Sequence, residues 1–187
     1  MRRAALLALV VTLAWPGRAG ADVPADQQAL VVLRILAYDH NLVSRSGKQI
    51  ELAVIHETGD ESSATAATKV EAAFARLAGK VTVAGLPVHV VALATGEHLA
   101  DDLRRHGVNA IYLCRGLDAE VLAIAKLARG RAALTFTDVA SYLDDGAAIA
   151  LDQRGKKIQI DVNLVAAKAA GAQLGAQLLR LAKVVKR

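Results

Sequence analysis

The sequence predicts one α/β domain: a mostly parallel, mixed sheet flanked by helices, ending in a C-terminal β-hairpin and a long terminal helix. Three observations predict it. Short runs rich in Val, Ile and Leu recur along the chain, separated by helical patterns of roughly 10 to 15 residues, the signature of parallel strands joined by crossover helices. The strand runs are near-continuously apolar, which suits strands covered on both faces. Near the end, two runs are separated only by Asp152-Gln153-Arg154-Gly155-Lys156, too short for a crossover, so they read as an antiparallel pair.

The elements follow in order. Ala25 to Val43 carries Leu30, Leu33 and Leu36, with Val32 and Ile35 beside them, at helical spacing and reads as a first helix ended by Ser46-Gly47. Gln49 to His56 reads as a strand, and Glu57 to Glu61 as an acidic loop. Ser62 or Ser63 is placed to cap the next helix, whose face holds Val70, Ala73, Phe74 and Leu77 before Gly79 stops it. Val88 to Leu93, Ala110 to Cys114 and Ala132 to Phe136 read as further strands, with helices over Gly96 to His106 and Asp118 to Arg129 between them. Ala147 to Leu151 and Lys157 to Val162 form the hairpin. Asn163 opens the terminal helix, which the apolar pattern carries to about Val185, with Lys183, Lys186 and Arg187 at its negative end.

The first 21 residues read as a secretory signal. Arg2 and Arg3 are a positive start, Ala4 to Ala14 is an apolar run, and Ala19-Gly20-Ala21 offers small residues where a signal peptidase cuts, before Asp22. An apolar run of that length rises about 16 Å as a helix, against about 30 Å of hydrocarbon, so it is too short for an anchor. No later run is long enough to span a membrane either. Residues 22–187 then form a single domain, exported to the periplasm. Loss of Arg2, Arg3 and Arg18 takes the formal net charge from +5 to +2. With basic residues scattered and aromatics at 3%, base-stacking platforms are not expected, and no nucleic-acid partner is read here. A single cysteine, Cys114, rules out an intramolecular disulfide, and its place in Ile111-Tyr112-Leu113-Cys114 reads as a core position.

No catalytic or cofactor motif is present: no glycine-rich dinucleotide fingerprint, P-loop, zinc-protease helix or nucleophile elbow. The histidines (His40, His56, His89, His98 and His106) do not pair on a helix face, so neither a cofactor nor a metal site is expected. His56-Glu57 and Asp60-Glu61 follow the first strand at the sheet edge where α/β ligands bind; they read as a solvated acidic loop, with a weak cation site as the sharper alternative. Thr137 and Asp138 end the fourth strand at the same edge. Either one caps a following short helix over Val139 to Leu143, or Asp138 shapes a small-molecule or partner site. Ile149, Leu151, Ile158 and Ile160 alternate so that all fall on one face of the hairpin, which serves either as a partner surface or as packing for the last helix.

Leu134-Thr135-Phe136-Thr137-Asp138, Gly146 opening a strand, the basic hairpin and Ile160-Asp161-Val162-Asn163 together resemble the YfiR-like periplasmic family. Its pattern there is roughly L-T-V-S-D, a Gly-Gly before a strand and an I-N before the terminal helix. Ala166-Ala167, Ala170-Gly171, Leu174 and Leu178-Leu179-Arg180-Leu181-Ala182 are similar to that family's ending, and Gly79-Lys80-Val81 with Gly85-Leu86-Pro87-Val88 fits upstream. The chain departs from the pattern at Tyr38-Asp39-His40-Asn41, where an aromatic-Pro stretch is usual, at Gly146-Ala147 and at Gly175-Ala176, as a divergent member would.

The resemblance implies a non-enzymatic periplasmic regulator, often dimeric, that binds the periplasmic part of a membrane sensor. In the family's named member that partner is a diguanylate cyclase, which it represses; a sensor kinase is another partner type. A different class of reading is a small-molecule receptor resembling one lobe of a solute-binding protein, with ligand at the loops after Ile55, Leu93, Cys114 and Phe136. An enzyme would need convergent titratable groups, and the sequence offers only separated ones.

Overall fold

The computed structural model describes residues 23–155 and 157–185. The signal-peptide reading falls on residues outside this range. Among the described residues, seven strands form one sheet in the order β2-β1-β3-β4-β5-β6-β7. They are β1 (Ile50–His56), β2 (Val88–Ala94), β3 (Ala110–Leu113), β4 (Leu134–Thr137), β5 (Ile149–Arg154), β6 (Lys157–Asn163) and β7 (Lys183–Val185). The first five pair in parallel, β5 and β6 form the expected antiparallel hairpin, and β7 runs parallel to β6. The fold class is the one the sequence predicts.

Helices cover both faces. On one lie α1 (Ala25–Ala37), α3 (Glu61–Ala78), α6 (Leu164–Ala169) and α7 (Ala176–Leu181), sharing a core with Leu52, Val54, Tyr112, Phe136, Ile149 and Leu151. On the other lie α4 (Leu99–Arg105), α5 (Val121–Gly130) and a 3-10 turn over Ala140–Leu143, packed on Ala53, Ile55, Ile111, Leu113 and Ala150. Alternate residues of β1 and β3 enter opposite cores, which is why these strands read as continuously apolar. A short helix, α2 (Leu42–Ser46), ends at Gly47, whose φ of +65° favours glycine.

Two elements differ from the sequence reading. The first helix stops at Ala37 because Asp39 turns inward. Its side chain is fully buried, accepts the backbone N–H of Asn41 at 3.0 Å, and pairs with Arg45 at 2.6 Å, so side-chain bonds replace the next helical turn. The terminal stretch is not one long helix but α6, an irregular turn, α7 and the strand β7. Gly171 sits at φ +74°, and the segment that follows bonds elsewhere: His40 N–H to Gln173 carbonyl at 2.9 Å, Gln173 N–H to Asp39 Oδ1 at 2.8 Å, and Gly175 N–H to Tyr38 carbonyl at 2.8 Å. These tertiary bonds override the helix propensity of the Ala- and Leu-rich stretch. Asn163 caps α6 as expected, accepting from Ala166 N–H at 3.0 Å. The cap of α3 is Asp60, which accepts from Ser62 and Ser63 N–H, rather than either serine.

Candidate functional site

The strand order creates a switch point. From β1 the chain crosses one face through α3 to β2, then returns over the other face through α4 to β3, so the carboxyl ends of β1 and β3 diverge into a crevice. Open α/β sheets bind ligands at such places.

The loops that leave β1 and β3 are locked together. Ser63 Oγ accepts Glu57 N–H at 3.0 Å and donates to the Arg115 carbonyl at 2.6 Å. Gly116 (φ +88°) presses against the α3 cap so closely that a Cβ there would lie 2.8 Å from Asp60 Oδ2. Asp60, with its carboxyl held below the usual range by the Ser63 and Ser62 bonds, is committed to capping. Among the described residues no group of three or more His, Cys, Asp or Glu is placed to hold a metal ion.

Beside this lock, a cleft of about 650 Å³ opens between the start of α1 and the first turns of α3. That is within the size range of small-molecule sites. Its floor is Tyr112, Cys114, Arg115 and Asp138, at the ends of β3 and β4. One wall is Val23, Ala25 and Gln28; the other is Glu61, Ser62, Thr65, Ala66, Lys69 and Val70, a single stripe of α3 at helical spacing.

A fixed polar chain runs across the floor. Tyr112 Oη donates to Gln28 Oε1 at 2.8 Å, and Gln28 Nε2 donates to the Val23 carbonyl at 2.6 Å and to Asp138 Oδ2 at 3.1 Å. Arg115 donates to the same Oδ2 from Nε at 3.0 Å and from Nη2 at 2.6 Å. Burial, reinforced by the Asp138 charge, pushes the Tyr112 phenol well above its ordinary value and the Cys114 thiol up to about 12. Both shifts favour the protonated forms at neutral pH, so Tyr112 acts as a donor and the buried Cys114 is held as a thiol.

Of the residues the sequence singled out, Asp138 lies in the cleft, its side chain 7% exposed. Thr137 is buried behind it and accepts Val139 N–H at 3.0 Å, tying the turn that follows β4 rather than capping the 3-10 turn. The four hairpin residues stand elsewhere. Ile149 and Leu151 are fully buried core, and Ile158 and Ile160 are partly buried against that core. They share one face, as expected, but α6 and α7 cover it, so Ile149 and Leu151 are packing and not surface. Gln28, Lys69, Tyr112 and Arg115 escaped the sequence reading. The signal for Gln28 was a polar residue in the apolar stripe that continues through Val32 and Ile35; for Arg115, it was a charge directly after a buried strand.

Comparison with solved structures shows the fold in other proteins. The chain is similar to an ABC domain in complex with L-Trp from Streptococcus pneumonia (TM-score 0.59, 13% identity, covering 87% of this chain and 62% of that one). It is similar to a conserved domain protein from Vibrio cholerae (TM-score 0.61, 14% identity, 87% and 60% covered). A third likeness is to the ligand-free, open form of a substrate binding protein with adhesive properties from Clostridium difficile (TM-score 0.60, 15% identity, 88% and 61% covered). The chain spans about three fifths of the length of these structures. No curated protein matches the sequence. The family model described as YfiR/HmsC-like matches residues 25–183, nearly everything from α1 to β7. The chain belongs to the YfiR/HmsC-like family.

Proposed function

We propose that this protein is a periplasmic, non-enzymatic regulator, residues 1–21 serving as signal peptide and 22–187 as a single domain. It binds the periplasmic part of a membrane signalling protein, and in its specific form represses a diguanylate cyclase in cyclic-di-GMP signalling; a homodimer is the expected state. The family match over residues 25–183 carries this reading. The protonated Cys114 and Tyr112, and the Asp60 carboxylate given over to capping, support a binding role over a catalytic one. The test is a pull-down from solubilised envelopes with the protein as bait. Capture of a membrane sensor, reproduced by mixing the purified pair, is expected; no sensor bound by well-folded bait would overturn it.

The cleft favours a second reading, a receptor for a small molecule. Its support is the cavity of about 650 Å³ at the switch point and a fold shared with a substrate binding protein. A ligand that binds only the folded state raises the melting temperature, by about 2.7 kcal/mol of added stability at a hundredfold excess over Kd. A metabolite thermal-shift screen that moves the midpoint by nothing would reject this reading.

A further inference from the structure

We infer that β2 is a dimerisation edge: it pairs antiparallel with β2 of a second copy of this chain and continues the sheet across a two-fold axis. The inference rests on the homodimer expected above and gives it a surface.

The sheet ends in two unlike edges. β7 is described over three residues and opens with the exposed Lys183, a charge that discourages further pairing. β2 runs for seven residues, Val88-His89-Val90-Val91-Ala92-Leu93-Ala94, with no Lys, Arg, Asp, Glu, Pro or Gly among them. A long apolar edge without such protection is a template for another strand. Its pairing groups are also free. Ile50 N–H donates to the Pro87 carbonyl at 2.8 Å and Thr95 N–H to the His56 carbonyl at 2.9 Å, which fixes the phase of the ladder between β1 and β2. The odd-numbered residues of β2 therefore bond β1. Val88, Val90, Ala92 and Ala94 turn N–H and C=O to the open side, where no described residue takes them.

That phase suits a second copy better than an arbitrary strand. A two-fold through Val91 sets Val88 opposite Ala94, and Val90 opposite Ala92, of the second copy. All four outward residues then fall in hydrogen-bonded pairs, each pair exchanging two bonds. The same axis opposes Val91 to itself and His89 to Leu93, so the only titratable side chain of the strand does not meet its own copy. The flanking helix obeys this symmetry too. α4, whose Leu99 and Leu103 share a core with Leu93, carries Asp101 and Asp102 in its first turn and Arg104 and Arg105 in its last. A two-fold runs the two copies of α4 antiparallel, the acidic start of one towards the basic end of the other.

The experiment is sedimentation equilibrium of the purified protein and two variants, with folding checked by circular dichroism. The parent is expected to dimerise at micromolar concentration. Ala92→Pro deletes an outward N–H while sparing the β1 ladder; symmetry loses that bond twice, so the dimer should weaken about tenfold or more. Val91→Cys should cross-link to its own copy under mild oxidation, because directly opposed residues stand about 4.5–5.5 Å apart at Cβ. Cys114 is buried and does not compete, and Val184→Cys, on the other edge, should not cross-link. The cross-link keeps the register testable with an Ala92→Pro variant that folds poorly. A folded Ala92→Pro protein that dimerises undiminished, or no cross-link in Val91→Cys, would overturn the β2 edge and leave the homodimer standing. A monomer at every concentration would overturn both. A monomer whose sensor capture is lost on Ala92→Pro would assign the edge to the sensor instead of a second copy, with the regulator reading intact.

Discussion

The two ends of strands β3 and β4 carry the same chemical pair, a carboxylate with an arginine, in opposite settings. At the amino ends, Asp39 and Arg45 have side chains 0% and 6% exposed. Each Asp39 oxygen has two donors: Asn41 and Gln173 N–H on Oδ1, Arg45 Nε and Nη2 on Oδ2. Arg45 Nη1 in turn reaches the carbonyls of Asn109, directly before β3, and Ala132, two residues before β4. At the carboxyl ends, Arg115 bonds Asp138 Oδ2 from Nε and Nη2, and the Arg115 side chain is 42% exposed beside an open cleft. A sealed pair with every lone pair matched is architecture. A pair whose arginine stands partly exposed at a cleft is held less tightly by the fold.

Substitutions should separate the two ends. The largest effect is expected at the sealed end: Asp39→Ala leaves Arg45 buried without its anion and should cost about 3–5 kcal/mol in chemical denaturation, the usual result of removing one partner of a buried pair. A loss below about 1 kcal/mol would show that this end is not the structural one.

Next is the loop lock. Gly116→Ala combines φ +88° with a Cβ 2.8 Å from Asp60 Oδ2, and should cost on the order of 2 kcal/mol while leaving the Asp39 end intact.

Alkaline pH probes the floor of the cleft. Cys114 and Tyr112 have folded-state values raised above their unfolded ones, by burial first and by the Asp138 charge second. Their contribution to stability is complete below about pH 9, because both states are then protonated. It falls as pH rises from 9.0, the ordinary thiol value, toward about 12, since only the unfolded chain releases the thiol proton there. Each group approaches a slope of ~1.4 kcal/mol per pH unit within its window. Denaturation midpoints measured from pH 8 to 10.5 should decline, and Cys114→Ala should flatten the lower part of that decline; an unchanged slope in the variant would refute the assignment.

The smallest stability effect belongs to Asp138→Asn, no more than about 1 kcal/mol, because water can take over the solvation of half-exposed Arg115. A larger loss than that at Asp39 would reverse the comparison.

The parallel sheet and the hairpin were legible because apolar strand runs and helical spacing are local signals. The breaks after Ala37 and Ala169 were not. Both depend on bonds between residues 38–40 and 173–175, more than 130 positions apart, and no local pattern in an Ala- and Leu-rich stretch announces them. Asp138 was legible as a polar residue ending a buried strand at the ligand-binding edge. Its companions were not, because Gln28 reaches it across 110 positions and Lys69 looks like any exposed helical lysine. The hairpin isoleucines show the converse limit: alternation placed them correctly on one face, but only the positions of α6 and α7 show that the face is covered.

The stitch between Asp39 and Gln173 makes the turn between α6 and α7 a condition for the exit of α1. The Arg45 anchor presses against β3 and β4 and draws on a carboxylate whose last donor is supplied only at residue 173. A chain cut short of that position would bury Asp39 one donor poorer, and α1 would lose the backbone bonds that hold its exit. The exit of α1 and the turn after α6 therefore stand or fall together, although more than 130 residues separate them.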